Sequence, residues 1–252
     1  MMSLHQEAAL KRIHGELLEL LRDAVRVLEE EDISYSLIGG TLLGAVRHQG
    51  FIPWDDDIDI VLSRDSYERF AAVYPSRAGE GFVLALNDTW VPRVRKAGSS
   101  KTVFLDLFIL DPLPYGRISR GRKLFQLKTL QGMLKEHTDY ARFPFSKRLL
   151  LRMTNVLGKP FSKQFKLRVY RRISQAGSLQ SPYEHIANSA FAGLSIAFPK
   201  GCFAPSRLAY ASFEGLSVRI PKNAPEILTM LYGSDYMTFP PEEQRVPMHL
   251  EQ

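Results

Sequence analysis

Residues 1–31 alternate charged and apolar side chains at the spacing of an amphipathic helix. The apolar positions fall three or four residues apart, and they are Leu10, Ile13, Leu17, Leu21, Val25 and Leu28. Side chains with this spacing lie on one face of an α-helix. The pattern therefore predicts an N-terminal helix that packs one face against the rest of the protein.

Beyond this helix, short apolar runs alternate with helical patterns. Strands are expected at 33–38, 57–62, 82–87, 91–96 and 102–109, with shorter ones around 202–203 and 216–220. Helices are expected at 41–48, at 63–75 with Ser63 or Asp65 as N-cap, through 120–176 and at 223–232; segment 184–198 is ambiguous. This order predicts an α/β (α+β) fold with a mixed sheet flanked by helices.

A glycine pair follows the first predicted strand. The run Ser34–Ile38 stops at Gly39 and Gly40, and Thr41 is placed to cap the next helix. A strand, a glycine turn and a helix N-terminus present backbone N–H groups and the positive end of the helix dipole. Because this arrangement suits a phosphate, we expect Gly39, Gly40 and Thr41 to bind one.

Four carboxylates lie close together after that helix: Asp55, Asp56, Asp57 and Asp59. Alternate side chains of a strand share a face, so Asp57 and Asp59 should point the same way. Asp55 shares that side and could act as a further ligand, whereas Asp56 fits a turn or cap. Carboxylates this close repel each other unless a cation lies between them. The pair Asp57 and Asp59 therefore predicts a site for a hard divalent ion, Mg²⁺ or alternatively Mn²⁺.

The stretch from 39 to 60, GGTLLGAVRHQGFIPWDDDIDI, resembles the signature of the LicD family. The resemblance continues in VFLDLFILDPLP at 103–114 and LYGSDYMTFPPEEQR at 231–245, with one departure at Ile109, where family members often have proline. LicD proteins are related to fukutin-type transferases and have a nucleotidyltransferase fold. They move phosphocholine, or a similar phospho-alcohol, from a CDP-activated donor to a cell-surface glycan. The resemblance implies the same fold and a metal-dependent phosphotransferase, with CDP-choline or another CDP-alcohol as donor and a lipopolysaccharide, teichoic acid or capsule-type acceptor.

Asp106 interrupts an otherwise apolar run, 103–110. A carboxylate inside such a strand is costly unless it is paired or metal-bound. We expect Asp106 to be the third metal ligand or the general base that takes the proton from the acceptor hydroxyl. The alternative is a structural carboxylate paired with a nearby arginine.

Basic side chains are the natural contacts for the phosphates of a donor. Arg93 and Arg95 share a face of their predicted strand, where they could clamp a pyrophosphate. The resemblance implies that Arg47 helps with the donor phosphates or with the acidic loop. Further candidates for contacts in the site are His48, and Arg245 and His249 in a predicted C-terminal lid.

Positive charge is concentrated in residues 117–172. This segment contains sixteen Lys or Arg and only two acidic residues, Glu136 and Asp139, which gives a local charge of +14. Apolar residues recur between these cations, so the segment is typical of basic amphipathic helices. Such helices dock on an anionic membrane, dock an anionic glycan or lipid-linked acceptor, or simply expose a solvated face. We favour an anionic partner and expect three parts: 1–116 as catalytic core, 117–200 as basic helical segment and 201–252 completing the catalytic domain.

Composition limits the remaining alternatives. Cys202 is the only cysteine, which excludes an intramolecular disulfide, and no apolar run approaches the length of a membrane span. We expect a cytoplasmic enzyme, peripheral on the inner face of the membrane if the basic segment binds lipid, and no nucleic-acid partner because no base-reading module accompanies the charge. Two other functions stay open: a nucleotidyltransferase acting on a small molecule, and a non-enzymatic basic protein that binds membrane or glycan.

Overall fold

The computed structural model describes residues 4–98, 102–135, 145–190 and 192–247. The chain divides into two compact units: unit 1 is Met1–Ala85, Pro92–Ile109 and Gly201–Gln252, and unit 2 is Leu86–Val91 and Leu110–Lys200. The boundaries expected at 116/117 and 200/201 stay a prediction.

The described elements form a mixed α/β architecture, as the sequence predicted. In chain order they are α1 (Leu4–Glu30), β1 (Ser36–Leu37), α2 (Gly39–His48), β2 (Ile58–Ser63), α3 (Arg64–Arg77), β3 (Phe82–Ala85), β4 (Arg93–Lys96), β5 (Leu105–Pro112), α4 (Arg117–Leu134), α5 (Phe145–Gly158), α6 (Lys163–Gln175), β6 (Tyr183–Ile186), β7 (Phe198–Pro199), β8 (Leu208–Phe213), β9 (Leu216–Pro221) and α7 (Ala224–Tyr232). Short 3₁₀ turns lie at Gly193–Ser195, Pro205–Arg207 and Glu242–Gln244. No helix in these ranges is long and apolar enough to cross a membrane.

Unit 1 is built on a sheet with the strand order β1-β2-β5-β4-β3. Strand β2 is buried on both faces, since Ile58, Ile60, Val61 and Leu62 are almost inaccessible. The predicted apolar face of α1 is buried from Leu10 to Leu28, which confirms that helix. Asp59 on β2 and Asp106 on β5 therefore lie on neighbouring strands at the centre of this sheet.

A hairpin of β8 and β9 holds the loop that leads to the acidic residues. Its turn is formed by Glu214 and Gly215, both with positive φ. The Glu214 N–H donates to the Gln49 carbonyl at 2.9 Å, and the Glu214 carboxylate accepts from the Phe51 N–H at 3.2 Å. The hairpin thus anchors the chain directly after α2.

Two segments differ from their expected structure. The helix expected throughout 120–176 is three described helices, α4, α5 and α6, and residues 136–144 lie outside the described ranges. The strand expected at 202–203 is wrong, because these residues lie in a turn and β8 comes later. Ser63 is confirmed as the α3 N-cap, since its side chain accepts the Ser66 N–H.

Part of the positive charge of unit 2 is internal. Lys123 is buried, and its Nζ donates to the carbonyls of Pro112, Ser174 and Ala176 at 2.7, 2.6 and 2.9 Å. Lys166 is also buried and donates to the Met133 carbonyl at the end of α4. Lys123 joins the end of β5 to the end of α6, and Lys166 joins α6 to the end of α4, so these two lysines are not part of the surface charge.

Replacing Lys123 by alanine should strongly destabilise the protein. The substitution removes three charge-assisted hydrogen bonds and leaves three carbonyls without that donor, which we expect to cost about 3 kcal/mol or more. Lys128, which is partly exposed and has a single 3.2 Å bond to Ser195, provides the matched control. Urea unfolding of Lys123→Ala and Lys128→Ala tests this, and equal midpoints would contradict it.

Candidate active site

Helix α2 begins at Gly39, two residues before the expected start. Ile38 occupies the N-cap position in extended conformation without a side-chain cap, so the expectation that Thr41 caps the helix is wrong. Thr41 is buried instead, and its Oγ1 accepts the Asp59 N–H at 2.8 Å. Thr41 therefore ties the first turn of α2 to β2, and phosphate binding by this turn stays a prediction.

The glycine pair provides space for two carboxylates. Gly39 has φ +63°, a conformation that side chains disfavour, and a Cβ there would lie 2.8 Å from Oδ2 of Asp59. A Cβ on Gly40 would lie 2.4 Å from Oδ2 of Asp55. Any larger residue at either position would collide with the acidic side chains, so the glycines and carboxylates form one packed arrangement.

Asp55, Asp57, Asp59 and Asp106, which we call the acid cluster, share one electrostatic environment. Burial and the charges of Asp57 and Asp56 raise the pKa of Asp55 to about 8, and Asp57 is also its hydrogen-bond partner. Burial, then the charges of Asp57, Asp106 and Asp55, raise the pKa of Asp59 well above its ordinary value. The structure thus brings the predicted carboxylates together at a place that favours added protons or cations.

The acid cluster is not yet arranged as a metal site. Within the described ranges, no three His, Cys, Asp or Glu side chains are grouped so that they could hold a metal ion. The oxygen donors are of the type that Mg²⁺ prefers, and burial together with the neighbouring carboxylates raises the pKa of Asp55 and Asp59. The residues therefore fit such an ion chemically, but their side chains would have to reorient.

Asp106 already has an arginine partner. It lies opposite Arg93 across the β4–β5 pair, and Arg93 Nε donates to its Oδ1 at 2.6 Å. The Arg93 guanidinium also lies 3.6 Å from the centre of the Phe104 ring, and that of Arg95 lies 6.0 Å from it. The two arginines share a face, as predicted, and the structural pairing that was the alternative for Asp106 is present. Its roles as ligand or base stay predictions.

Asp56 and His14 both interact with Asp55, which the sequence did not indicate. Asp56 is 2 % exposed, and its charge acts on both Asp55 and His14; its expected role in a turn or cap stays a prediction. His14 lies with Nε2 2.6 Å from the Asp55 carbonyl and stacks on Phe51 at 4.2 Å. Burial lowers the pKa of His14. A lone histidine on the first helix gave no signal of this contact.

The C-terminal segment brings the other predicted residues together around Phe239. Arg47 donates to the Tyr236 carbonyl at 3.1 Å, and its guanidinium lies 4.7 Å from the Phe239 ring centre. His48 contacts the same ring edge-on at 5.7 Å, and Arg245 lies 5.5 Å from it and 5.5 Å from the Trp54 ring. Burial lowers the pKa of both Arg47 and His48. His249 lies outside the described residues.

Tyr232, the last residue of α7, also belongs to this site. Burial of its hydroxyl raises its pKa, and the charges of Asp59, Asp55 and Asp57 raise it further, while Arg47 opposes them. The ring itself remains partly exposed. The hydroxyl therefore lies beside the acid cluster, and the only sequence signal for it was its place in the 231–245 stretch.

Comparisons with known proteins agree with this architecture. The family model "LicD/FKTN/FKRP, nucleotidyltransferase domain" matches residues 32–109. The chain is 32% identical over 251 residues to the lipopolysaccharide cholinephosphotransferase LicD of Haemophilus influenzae, an alignment that covers 89% of each chain. It is 52% identical over 44 residues to the human ribitol 5-phosphate transferase FKRP, covering 18% of this chain and 9% of that protein. The matched region 32–109 includes the glycine pair and the acid cluster.

The raised pKa of Asp55 predicts a pH-dependent stability in the absence of metal. Between its ordinary value of 3.8 and about 8, the folded state keeps a proton that the unfolded chain has lost. The contribution of Asp55 to stability therefore falls as pH rises through this range. Asp55→Asn removes this dependence, so the variant should gain stability over the natural protein as pH increases.

Urea unfolding in EDTA between about pH 5 and pH 8 measures this difference. Asp65→Asn is the matched control, because Asp65 is exposed in the first turn of α3. The control should keep a constant difference from the natural protein. A constant difference for Asp55→Asn as well would show that Asp55 titrates normally.

Proposed function

Because the chain belongs to the LicD family, we propose that it transfers phosphocholine, or a similar phospho-alcohol, from a CDP-activated donor to a lipopolysaccharide-type glycan. The observation that carries the proposal is the combination of a match over 89% of the chain with an acid cluster packed on a glycine pair. The relative is named as a lipopolysaccharide cholinephosphotransferase. A teichoic acid or capsule-type glycan is the corresponding alternative acceptor.

The proposed reaction is an in-line displacement at the β-phosphorus of the donor. The acceptor hydroxyl oxygen forms the new bond to this phosphorus, the bond to the bridging oxygen breaks, and CMP leaves. Asp57 and Asp59, with Asp106 as third ligand, would hold Mg²⁺ or Mn²⁺, which when bound neutralises charge on the donor phosphates. The first turn of α2 would orient these phosphates with its backbone N–H groups.

The Arg93–Asp106 pair suggests how donor binding and Asp106 are connected. Arg93 now donates to both oxygens of Asp106, at 2.6 and 3.5 Å. A donor phosphate is a competing bidentate partner for a guanidinium. If Arg93 turns to the phosphate, the oxygens of Asp106 become accessible, either as metal ligand or as base for the proton of the acceptor hydroxyl. Arg47 at the end of α2 and Arg245 in the C-terminal segment, which both contact Phe239, would also bind the donor phosphates.

Product analysis tests the reaction. With Mg²⁺, a CDP-alcohol and a glycan acceptor, we expect CMP in an amount equal to the phospho-alcohol transferred. A second mixture, with CTP and a phospho-alcohol in place of the CDP-alcohol, tests the nucleotidyltransferase alternative. A true nucleotidyltransferase would release pyrophosphate from that mixture. Pyrophosphate with CTP and no CMP with any CDP-alcohol would overturn the proposal in favour of nucleotidyl transfer.

Asparagine at position 57 or 59 should abolish turnover while the protein stays folded. Each variant removes a negative ligand, and we expect activity to fall by about 100-fold or more. Stability should not fall, because removing one carboxylate relieves repulsion in the acid cluster. Asp65→Asn keeps full activity as the control, and calorimetric Mg²⁺ binding should weaken only in the two site variants. Full activity of Asp57→Asn or Asp59→Asn would eliminate the metal assignment.

A further inference from the structure

Helix α5 packs against α4 through a narrow face. Leu151 and Thr154 are buried. A Cβ on Gly132 of α4 would lie 2.2 Å from Oγ1 of Thr154, and one on Gly158 would lie 2.7 Å from the Met133 Cβ. The two helices therefore meet closely at glycines, and this contact uses little of the apolar surface of α5.

The larger apolar side chains of α5 point away from that contact. They are Leu149, Leu150, Met153, Val156 and Leu157, and each is between 51% and 60% exposed. Their spacing places them on one continuous face of the helix, which we call the α5 stripe. An apolar helical face normally packs against the core, and an exposed one of this size marks a surface that binds something.

Two aromatic side chains extend the apolar surface after α5. Phe161 and Phe165 are stacked with ring centres 5.5 Å apart, and both remain nearly half exposed. Amphipathic helices that bind at a membrane interface combine such aromatic rings with leucine. The apolar surface thus runs from α5 into the start of α6.

The charge along the chain from α5 into α6 has one sign. No Asp or Glu occurs between residues 140 and 183. Arg148 and Arg152 are four residues apart on α5, so they line one edge of the stripe, and exposed Lys159 and Lys163 follow its C-terminal end. A partner for this surface must offer an apolar interior beneath a negatively charged layer.

We propose that the α5 stripe docks unit 2 on an anionic lipid bilayer. The helix lies in the plane of the interface, with its apolar side chains among the acyl chains and its arginines at the level of the phosphates. A second copy of this chain fits less well, because two such surfaces would bring like charges together. An anionic glycan matches the cations but not five exposed apolar side chains.

Vesicle binding by the full chain tests this proposal without any donor or acceptor. Vesicles of phosphatidylglycerol mixed with phosphatidylcholine should bind the protein, and pure phosphatidylcholine should bind it weakly. The double variant Leu150→Ser with Leu157→Ser should reduce the partition coefficient about tenfold or more. Leu179→Ser is the control, because Leu179 is an exposed leucine of unit 2 outside the stripe. Equal losses in variant and control would overturn the assignment to α5.

The charge contribution is tested separately. Arg152→Glu with Lys159→Glu should weaken vesicle binding and reduce its salt dependence. Lys11→Glu with Arg12→Glu is the control, because it makes the same charge change on the exposed face of α1.

Insertion of the stripe is tested with a Met153→Trp variant, in which brominated acyl chains should quench the fluorescence of the added tryptophan. If vesicle binding needs the cations but the tryptophan is not quenched, the protein is held by electrostatic attraction only. That result would overturn the insertion of α5 into the bilayer. If the leucine variant instead converts a dimer to a monomer in light scattering, with vesicle binding unchanged, the partner is a second copy.

Discussion

The packing of buried carboxylates against a glycine pair is the constraint on which the rest of unit 1 depends. Asp55 and Asp59 place oxygen atoms where Gly40 and Gly39 would otherwise have side chains. Burial and the neighbouring carboxylates raise the pKa of both Asp55 and Asp59. Such an arrangement is unfavourable for folding alone, and added positive charge would relieve the repulsion.

The surrounding elements hold this arrangement from several directions. Thr41 bonds the backbone of β2, the hairpin turn at Glu214 bonds the loop at Gln49 and Phe51, and His14 contacts the Asp55 carbonyl. These contacts fix the backbone that holds the carboxylates of the acid cluster. A backbone held in this way keeps the carboxylates of the acid cluster in one place, and a site for a charged ligand needs such support.

Unit 2 uses its cations in two different ways. Lys123 and Lys166 are buried and join carbonyl groups at helix ends, so they contribute to the fold. Arg152, Lys159 and Lys163 remain exposed beside the apolar surface of α5. The net charge of +14 in residues 117–172 therefore overstates the charge available to a partner. What a partner can bind is set by where the exposed Lys and Arg side chains lie.

The sequence by itself determined the first helix, the strand that holds Asp59 and the family, because periodicity and the 39–60 motif are local signals. It left Ser63 and Asp65 open as the α3 cap, and the structure decided for Ser63. It also singled out all four members of the acid cluster. Only the tertiary structure decided that Thr41 bonds β2, that Arg93 pairs with Asp106, that Tyr232 and His14 join the site, and that the apolar stripe of α5 faces outward. Each of these depends on contacts between residues distant in sequence or on which face of a helix packs, and the periodicity of one segment carries no information about its partners.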